Sequence, residues 1–579
     1  MQSAPRDAAP KSWCDAASKG RCNAAPKGGC DGAPKGRWRL TGRKPAARGD
    51  VSLVQREARA AVDVAVIGGG PAGASAARLL AAWGHSVLLL TKSDTGHPSL
   101  AESLPPSCRK VFDAVGVREA VEAARFLTTG GNTVCWEGAR PRAATFGGGR
   151  GLQVLRRDFD RVLLAEAGRA GAAVRIGVTV RDVTVPDAVH GRDERGRAVT
   201  AHARFVLDCS GRAGIVARRH RTRVQAGETT LALVGVWRRR DAWPLPDCTP
   251  GDGDDPLPSD DAVPRDDAQT VVEAYADGWA WSVPVSRHRR YVTVMVDPRT
   301  TRADRAESLR ARYLAELGKT THLARATGGA ALEGAPWACD ASQYGARRFG
   351  GPGFLLVGDA ATFIDPLSSF GVKKAMASGW LAAVVTNTCL RHPDRAVLAR
   401  DFHAQRERQI WESYRRQTAA FFAQVSRREL HPFWSDRSDP AGSDPVGVGA
   451  AAEAEGRDEL VAALRADPAV QAAFEALRRA PSIRLRPTPS LRMTTVPAVE
   501  GREIVAAPSF ALDAGAAGSI AVRHLRGVDL PALLEMAGEH PQVPDLYAAY
   551  RRSRAPVELP DFLGALSVLL GKGLLRNDK

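Results

Sequence analysis

Three glycines and their neighbours carry the first chemistry legible in this chain. Residues 62–73 read Val-Asp-Val-Ala-Val-Ile-Gly-Gly-Gly-Pro-Ala-Gly, an apolar strand running into G-x-G-x-x-G and then into an Ala-rich helix. In that setting Gly68 permits a tight turn and Gly70 lets backbone approach a pyrophosphate. Gly73, after Ala72, lets the helix lie close on the strand. The helix start offers unpaired N–H groups to an anion. Ala74–Trp83 continue the helix, Gly84 stops it, and Val87–Leu90 form a second buried strand. A carboxylate is expected to close that strand and hold a ribose. Thr91 stands there instead, with Asp94 near in sequence, so the adenosine end is expected to be held differently.

Three further segments bear groups suited to a nucleotide or a redox ring. They are Arg156-Arg157-Asp158-Phe159-Asp160, the stretch Asp208–Gly214, and Gly358–Gly371 with its Gly358-Asp359 and Asp365-Pro366 pairs. The elements that must position them follow from periodicity. Gln153–Gly168 reads as a helix, Val174–Val180 and Arg204–Asp208 as strands, and Val271–Tyr275 with Tyr291–Val296 as antiparallel strands of alternating faces. Phe354–Asp359 reads as a strand, and a helix is expected to open at Gly371. Asp401–Arg428 has helical charge patterning. Pro244–Gln269 is an acidic loop rich in Pro, Asp and Gly.

Size and charge bound the answer. At 579 residues two or three domains are expected. No apolar run is long enough for a membrane span, so a soluble, cytoplasmic protein without membrane partner is the expectation. The net charge of +17 is concentrated, about half of it lying in residues 1–60. Nucleic acid is therefore not the expected partner. Nine cysteines form no disulfide framework, and no metal-ligand spacing appears. The N-terminus repeats an octad at Asp7–Cys14, Asp15–Cys22, Asn23–Cys30 and Asp31–Trp38. It lacks core-forming periodicity and reads as a disordered tail, either a docking element or the product of a start codon placed too far upstream.

Taken together, the four segments resemble the FAD-binding fold of single-component flavin monooxygenases, flavin-dependent halogenases and geranylgeranyl-reductase-type enzymes. The resemblance covers roughly residues 62–430. It implies an α/β fold: a Rossmann-type FAD-binding domain (61–235 and 350–395) with an inserted antiparallel β substrate domain (236–349). A helical extension (396–434), a linker (435–457) and a small C-terminal α+β domain (458–579), winged-helix-like in its order of elements, are expected to follow. It implies that Asp359 bonds a ribityl or ribose hydroxyl and that Pro366 lies at the flavin edge. Arg156 would touch the cofactor. The helix dipole at Gly371-Val372 would face the isoalloxazine, favouring its anionic reduced form.

Two stretches are similar to halogenase motifs: Trp279-Ala-Trp281-Ser-Val283-Pro284, and Glu102-Ser103-Leu104-Pro105. Two departures point elsewhere. Thr128-Thr129 stand where those enzymes place a Lys that directs hypohalous acid, and Phe370 precedes Gly371 where a small hydroxyl residue is usual. The pattern is closer to flavoproteins that hydroxylate a tryptophan side chain during tryptophylquinone assembly. The expectation is therefore an FAD-dependent monooxygenase hydroxylating an aromatic substrate, an indole or a protein tryptophan, through a flavin C4a-hydroperoxide. Ser368, Ser369 and Phe370 are its candidate catalytic residues. Flavin-dependent halogenation and a non-catalytic flavoprotein scaffold with a partner-binding C-terminal domain are the alternatives. With a single G-x-G-x-x-G, electrons come from transient NAD(P)H or from a separate flavin reductase.

Overall fold

The computed structural model describes residues 61–577 apart from 94–97, 137–140, 148, 186, 221–222, 226, 242, 244–268, 300–307, 439–463, 465, 480–482, 489–492, 514–518 and 555. The repeat-bearing tail, Asp94, nearly all of the acidic loop and most of the linker thus lie outside the described residues.

The central strand Val62–Ile67 pairs in parallel with Val87–Thr91 on one side and Ala198–Asp208 on the other. Ala173–Ile176 and Phe354–Leu356 extend the parallel sheet, and Gly350–Gly351 closes one edge antiparallel. Its strands are apolar on both faces because helices and a second layer cover both: Val64, Val66 and Leu89 enter one core, Ala65, Ile67 and Leu90 the other. This is the expected Rossmann-type α/β architecture.

Helix Pro71–Ala82 follows the first strand and helix Gly371–Arg391 crosses it. The two backbones nearly touch. A methyl group at Gly379 would lie 2.3 Å from the Ala72 carbonyl, and one at Gly73 would lie 1.9 Å from the Gly68 carbonyl. Gly68 itself has φ +103° and sits against the Cys209 carbonyl, so a side chain there meets both strain and collision. Small residues thus fix how the two helix starts converge.

A second sheet runs Ala331–Asp340, Leu231–Arg238, Arg289–Val296, Gly278–Ser286, Thr270–Tyr275, Gly131–Cys135, Arg142–Thr145. Val271–Tyr275 and Tyr291–Val296 are antiparallel strands, each paired with Gly278–Ser286, the strand between them that carries the Trp279–Pro284 motif. One expectation changes here: the sheet is not purely antiparallel, since Thr270–Tyr275 meets Gly131–Cys135 in parallel. It also draws in strands from outside 236–349, because the exposed edge beside Thr270–Tyr275 is completed by a hairpin of earlier sequence.

Smaller corrections have local causes. Gln153–Leu155 close the strand Gly151–Leu155, and the helix runs Arg156–Arg169. Pairing with Ala101–Leu104 and Leu127–Thr129 overrides helix propensity there. Gly177, at φ +83°, divides the expected 174–180 strand into Ala173–Ile176 and Val178–Thr184. Gly358–Ala360 form a 3₁₀ turn rather than a strand end, and the long helix runs Ala396–Ser426.

The C-terminal part has its own core, including Phe510, Leu533, Tyr550, Phe562 and Leu566. Hairpin Met493–Glu500/Glu503–Asp513 precedes helices Leu530–Glu539, Val543–Ser553 and Leu559–Gly571. The hairpin turn docks on the rest of the molecule. Ile504 is buried in the main core, its N–H donates to the Thr388 hydroxyl at 2.9 Å, and Asn387 donates to the Arg502 carbonyl at 2.9 Å. No helix of the described residues is long and apolar enough to cross a membrane.

Gly379→Ala is expected to destabilise the protein by about 1–3 kcal/mol through overpacking. Gly371→Ala, with nothing within 4 Å of the added methyl, should stay within about 1 kcal/mol of the parent. Chemical denaturation of the two variants checks the contrast.

Candidate functional site

One cleft, with a cavity volume of about 260 Å³, is lined by residues of both the parallel sheet's helices and loops and the second sheet. Gly70, Ala72, Arg156, Asp359, Pro366, Ser369, Gly371 and Val372 all line it. The starts of both crossing helices therefore open into the same space, one at Gly70 and one at Gly371. A methyl at Gly70 would meet nothing nearer than an Arg156 nitrogen at 3.7 Å, and one at Gly371 would meet nothing. Both glycines face open cleft, while Gly68 and Gly73 serve close packing behind it.

The other expected site residues fall elsewhere. Thr91 ends its strand against Gly69, its hydroxyl within 3.5 Å of the Lys92 carbonyl, and does not line the cleft. Ser368 is buried, and its hydroxyl accepts from the Phe370 N–H at 3.3 Å. Phe370 turns away from the cleft to pack with Ile364, Trp411 and Tyr414. Ser368 and Phe370, expected as catalytic candidates, thus do not line the cleft: the turn before Gly371 sends both side chains inward. Ser369 does face the cleft, at φ +51°, a conformation that costs a non-glycine residue energy and is kept where the surroundings enforce it. Thr129 is buried, with its hydroxyl donating to the Gly131 carbonyl at 2.9 Å, and neither Thr128 nor Thr129 lines the cleft.

Arg156 begins its helix and is held by Asp160 at 3.1 Å and Glu102 at 3.6 Å. Burial opposes its charge, but Asp160, Glu102 and Asp359 outweigh burial and raise its pKa. Arg212, from the segment after Asp208, pairs with Asp340 at 2.6 Å and lies 4.1 Å over the Phe363 ring. Asp208 itself is fully buried. It accepts the Val216 N–H at 2.7 Å and caps the short helix Ile215–Arg219, so its work is structural.

The substrate-side wall is apolar and aromatic. Trp279 and Trp281 both line the cleft, stacked at 5.0 Å between centroids. Behind them Trp136 lies edge-on at 6.2 Å from Trp279, and Trp434 edge-on at 5.5 Å from Trp136. Strand alternation explains the wall: Trp279, Trp281 and Val283, each two residues apart along Gly278–Ser286, share the face that lines the cleft.

Asp365, marked in sequence only as the partner of Pro366, carries the cleft's buried carboxyl. It is 2 % exposed, its carboxylate accepts from the Leu367 N–H at 3.0 Å and from Gln343 at 3.4 Å, and it lines the cleft. Burial pushes its pKa up to about 6, against the Leu367 hydrogen bond and the positive charge of Arg437. An Asp before Pro reads as a turn residue in sequence, and only burial makes it a group that titrates near neutrality.

A parallel sheet with a glycine-rich turn, a second helix end on the same cleft and an aromatic sheet above them define a flavoprotein oxidoreductase. The FAD binding domain family's model matches residues 61–416, and the chain belongs to that family. It is therefore an FAD-dependent enzyme. It is 29% identical over 393 residues to the tryptophan 2-halogenase of Chondromyces crocatus, covering 64% of this chain and 70% of that one. CmlS, a flavin-dependent halogenase, superposes with a TM-score of 0.64 at 23% identity over 90% of this chain and 96% of its own. The peptidyl tryptophan dihydroxylase QhpG, essential for tryptophylquinone cofactor biogenesis, gives 0.59 at 23% identity over 89% and 100%. These two likenesses are of fold.

The residues present fit FAD. Gly70 and Gly371 line the same cleft, and both positions leave open the space that a side chain would fill.

The raised Asp365 pKa has a sign. The folded state holds this proton more tightly than the unfolded chain, so the stabilisation is complete below the unfolded pKa and is lost as pH rises to about 6. Asp365→Asn, which mimics the protonated group, should melt several degrees above the parent at pH 8. The gain should vanish below about pH 4. Equal melting at both pH values would contradict the assignment.

Proposed function

We propose that the protein is an FAD-dependent monooxygenase that hydroxylates an electron-rich aromatic ring, an indole or a tryptophan side chain, at the Trp279–Trp281 end of the cleft. Reduced FAD supplies the activation of dioxygen. The chain's own residues bind and shield. Gly70, Ala72 and the helix starting at Pro71 would take the pyrophosphate, and Asp359 and Arg156 would take the sugar-alcohol and nearby polar groups. Pro366, Ser369, Gly371 and Val372 would border the ring system, with the Gly371 helix dipole favouring negative charge there. Trp279, Trp281 and Val283 exclude water and orient a flat substrate. Asp365, protonated or ionised near neutral pH, would exchange a proton with the substrate's ring or its heteroatom.

The observation that carries hydroxylation over halogenation is the state of the cleft's cations. Among the described lining residues these are Arg156 and Arg212, and each is already tied to carboxylates. Halogenation is the second reading, favoured by the tryptophan halogenase of Chondromyces crocatus as a relative over most of the catalytic part. Under either reading the second sheet is the substrate domain. The C-terminal unit, docked through Ile504, caps helix Gly371–Arg391 or receives a peptide-bearing substrate. Electrons would come from NAD(P)H directly or from a partner flavin reductase.

Purified protein should be yellow and release FAD on denaturation. Supplied with a flavin reductase, NADH and indole or tryptophan-containing peptides, it should add the mass of oxygen without halide. A product that forms only with chloride or bromide and carries halogen would replace hydroxylation by halogenation. Trp279→Ala should lower turnover about tenfold or more while leaving FAD bound.

A further inference from the structure

Lysine 374 lies one turn into the helix that opens at Gly371, yet it does not reach the cleft. Its side chain is 1% exposed. Its ammonium donates to the Gly358 carbonyl at 3.2 Å and to the Thr362 carbonyl, and it lies 3.4 Å from the Asp359 carboxylate. Three oxygens of one turn thus converge on one buried cation. Burying an ammonium costs several kcal/mol unless it is paired and hydrogen-bonded. All three of its N–H groups are used here.

Helix Ala396–Ser426 packs behind it and supplies a second carboxylate, Glu407, which is also buried. Burial raises the pKa of Glu407, while the Lys374 charge favours its ionised form. Ser378 meanwhile accepts the Gly358 N–H at 2.8 Å, so the same glycine is gripped from both its N–H and its carbonyl. His403, one helical turn before Glu407, has its pKa lowered by burial to about 3 and brings no positive charge. The Asp359 carbonyl is fixed as well, accepting the Tyr344 hydroxyl at 2.5 Å.

We infer that Lys374 is a positioning residue for the cofactor site: its ammonium, bonded to three oxygens of the Gly358–Thr362 turn, locks that turn and aims the Asp359 carboxylate into the cleft. The inference rests on the proposed role of Asp359 in holding FAD. Lys374 acts on the cofactor only through that turn. It does so by removing the alternative orientations that a surface Asp would sample, so the ordering cost is met in folding rather than in binding. Glu407, buried on the helix behind, adds negative charge on the side of the ammonium away from the turn.

A double-mutant cycle on the full-length protein tests this, read by FAD affinity from fluorescence titration and by melting of the FAD-free protein. Asp359→Ala should weaken FAD binding by about tenfold. Lys374→Met should weaken it to a similar degree, and the double variant should be no weaker than Asp359→Ala alone. Glu407→Gln should weaken binding by about threefold, and that loss too should vanish in the Asp359→Ala background. A purely structural lysine would lower the melting temperature and give losses that add to that of Asp359→Ala, which overturns the inference. Unchanged FAD affinity in Lys374→Met also overturns it. If Asp359→Ala binds FAD normally, the underlying role of Asp359 fails instead, and the two failures are distinct. Should Lys374→Met not fold, the Glu407→Gln pair decides alone, additive losses counting against the inference.

Discussion

The contact between the Ala72 carbonyl and Gly379 sets the geometry of everything else in the catalytic part. Two helices cross there at backbone contact, and no side chain separates them. Their separation fixes where each helix begins, and both beginnings carry unpaired N–H groups and positive dipole ends. Because the crossing lies near the start of the first helix and two turns into the second, both ends open on one cleft. A bulkier pair would splay the helices, and the two ends would no longer border a single cleft.

Around that crossing the molecule sorts its charges with care. Arginines at the cleft are held by carboxylates, and the buried Lys374 is enclosed by oxygens of the turn that carries Asp359. Asp365 is the exception. It is buried with hydrogen-bond donors but no direct cation, and its ionisation is correspondingly costly. Opposite these polar groups the second sheet offers stacked tryptophans and aliphatic side chains. A cleft with one polar, dipole-lined wall and one dry aromatic wall suits a charged cofactor facing a flat, weakly polar ring.

The C-terminal unit bears on this arrangement indirectly. None of its described residues lines the cleft, but its hairpin turn buries Ile504 against helix Gly371–Arg391 and bonds Thr388 and Asn387 near that helix's end. It therefore braces the far end of the helix whose start borders the cleft. The likeness to CmlS spans 90% of this chain, so the shared fold extends beyond the 61–416 segment that defines the family.

The amino-acid order alone determined the parallel α/β core, the glycine turn, the helix opening at Gly371 and the identity of the family, because each is written in short, local patterns. Strand periodicity and a glycine's steric freedom need no distant partner to be legible. Side-chain direction was not legible in that way. Ser368 and Phe370 stand beside Ser369 and Gly371 in the chain, yet they point into the core, since one left-handed residue reverses the turn between them. The pairing of Thr270–Tyr275 with a strand some 130 residues earlier, the titration of Asp365 near neutrality and the enclosure of Lys374 were likewise decided only by the tertiary structure. Each depends on burial and on partners remote in sequence, and a local pattern holds no information about how much water a side chain will keep.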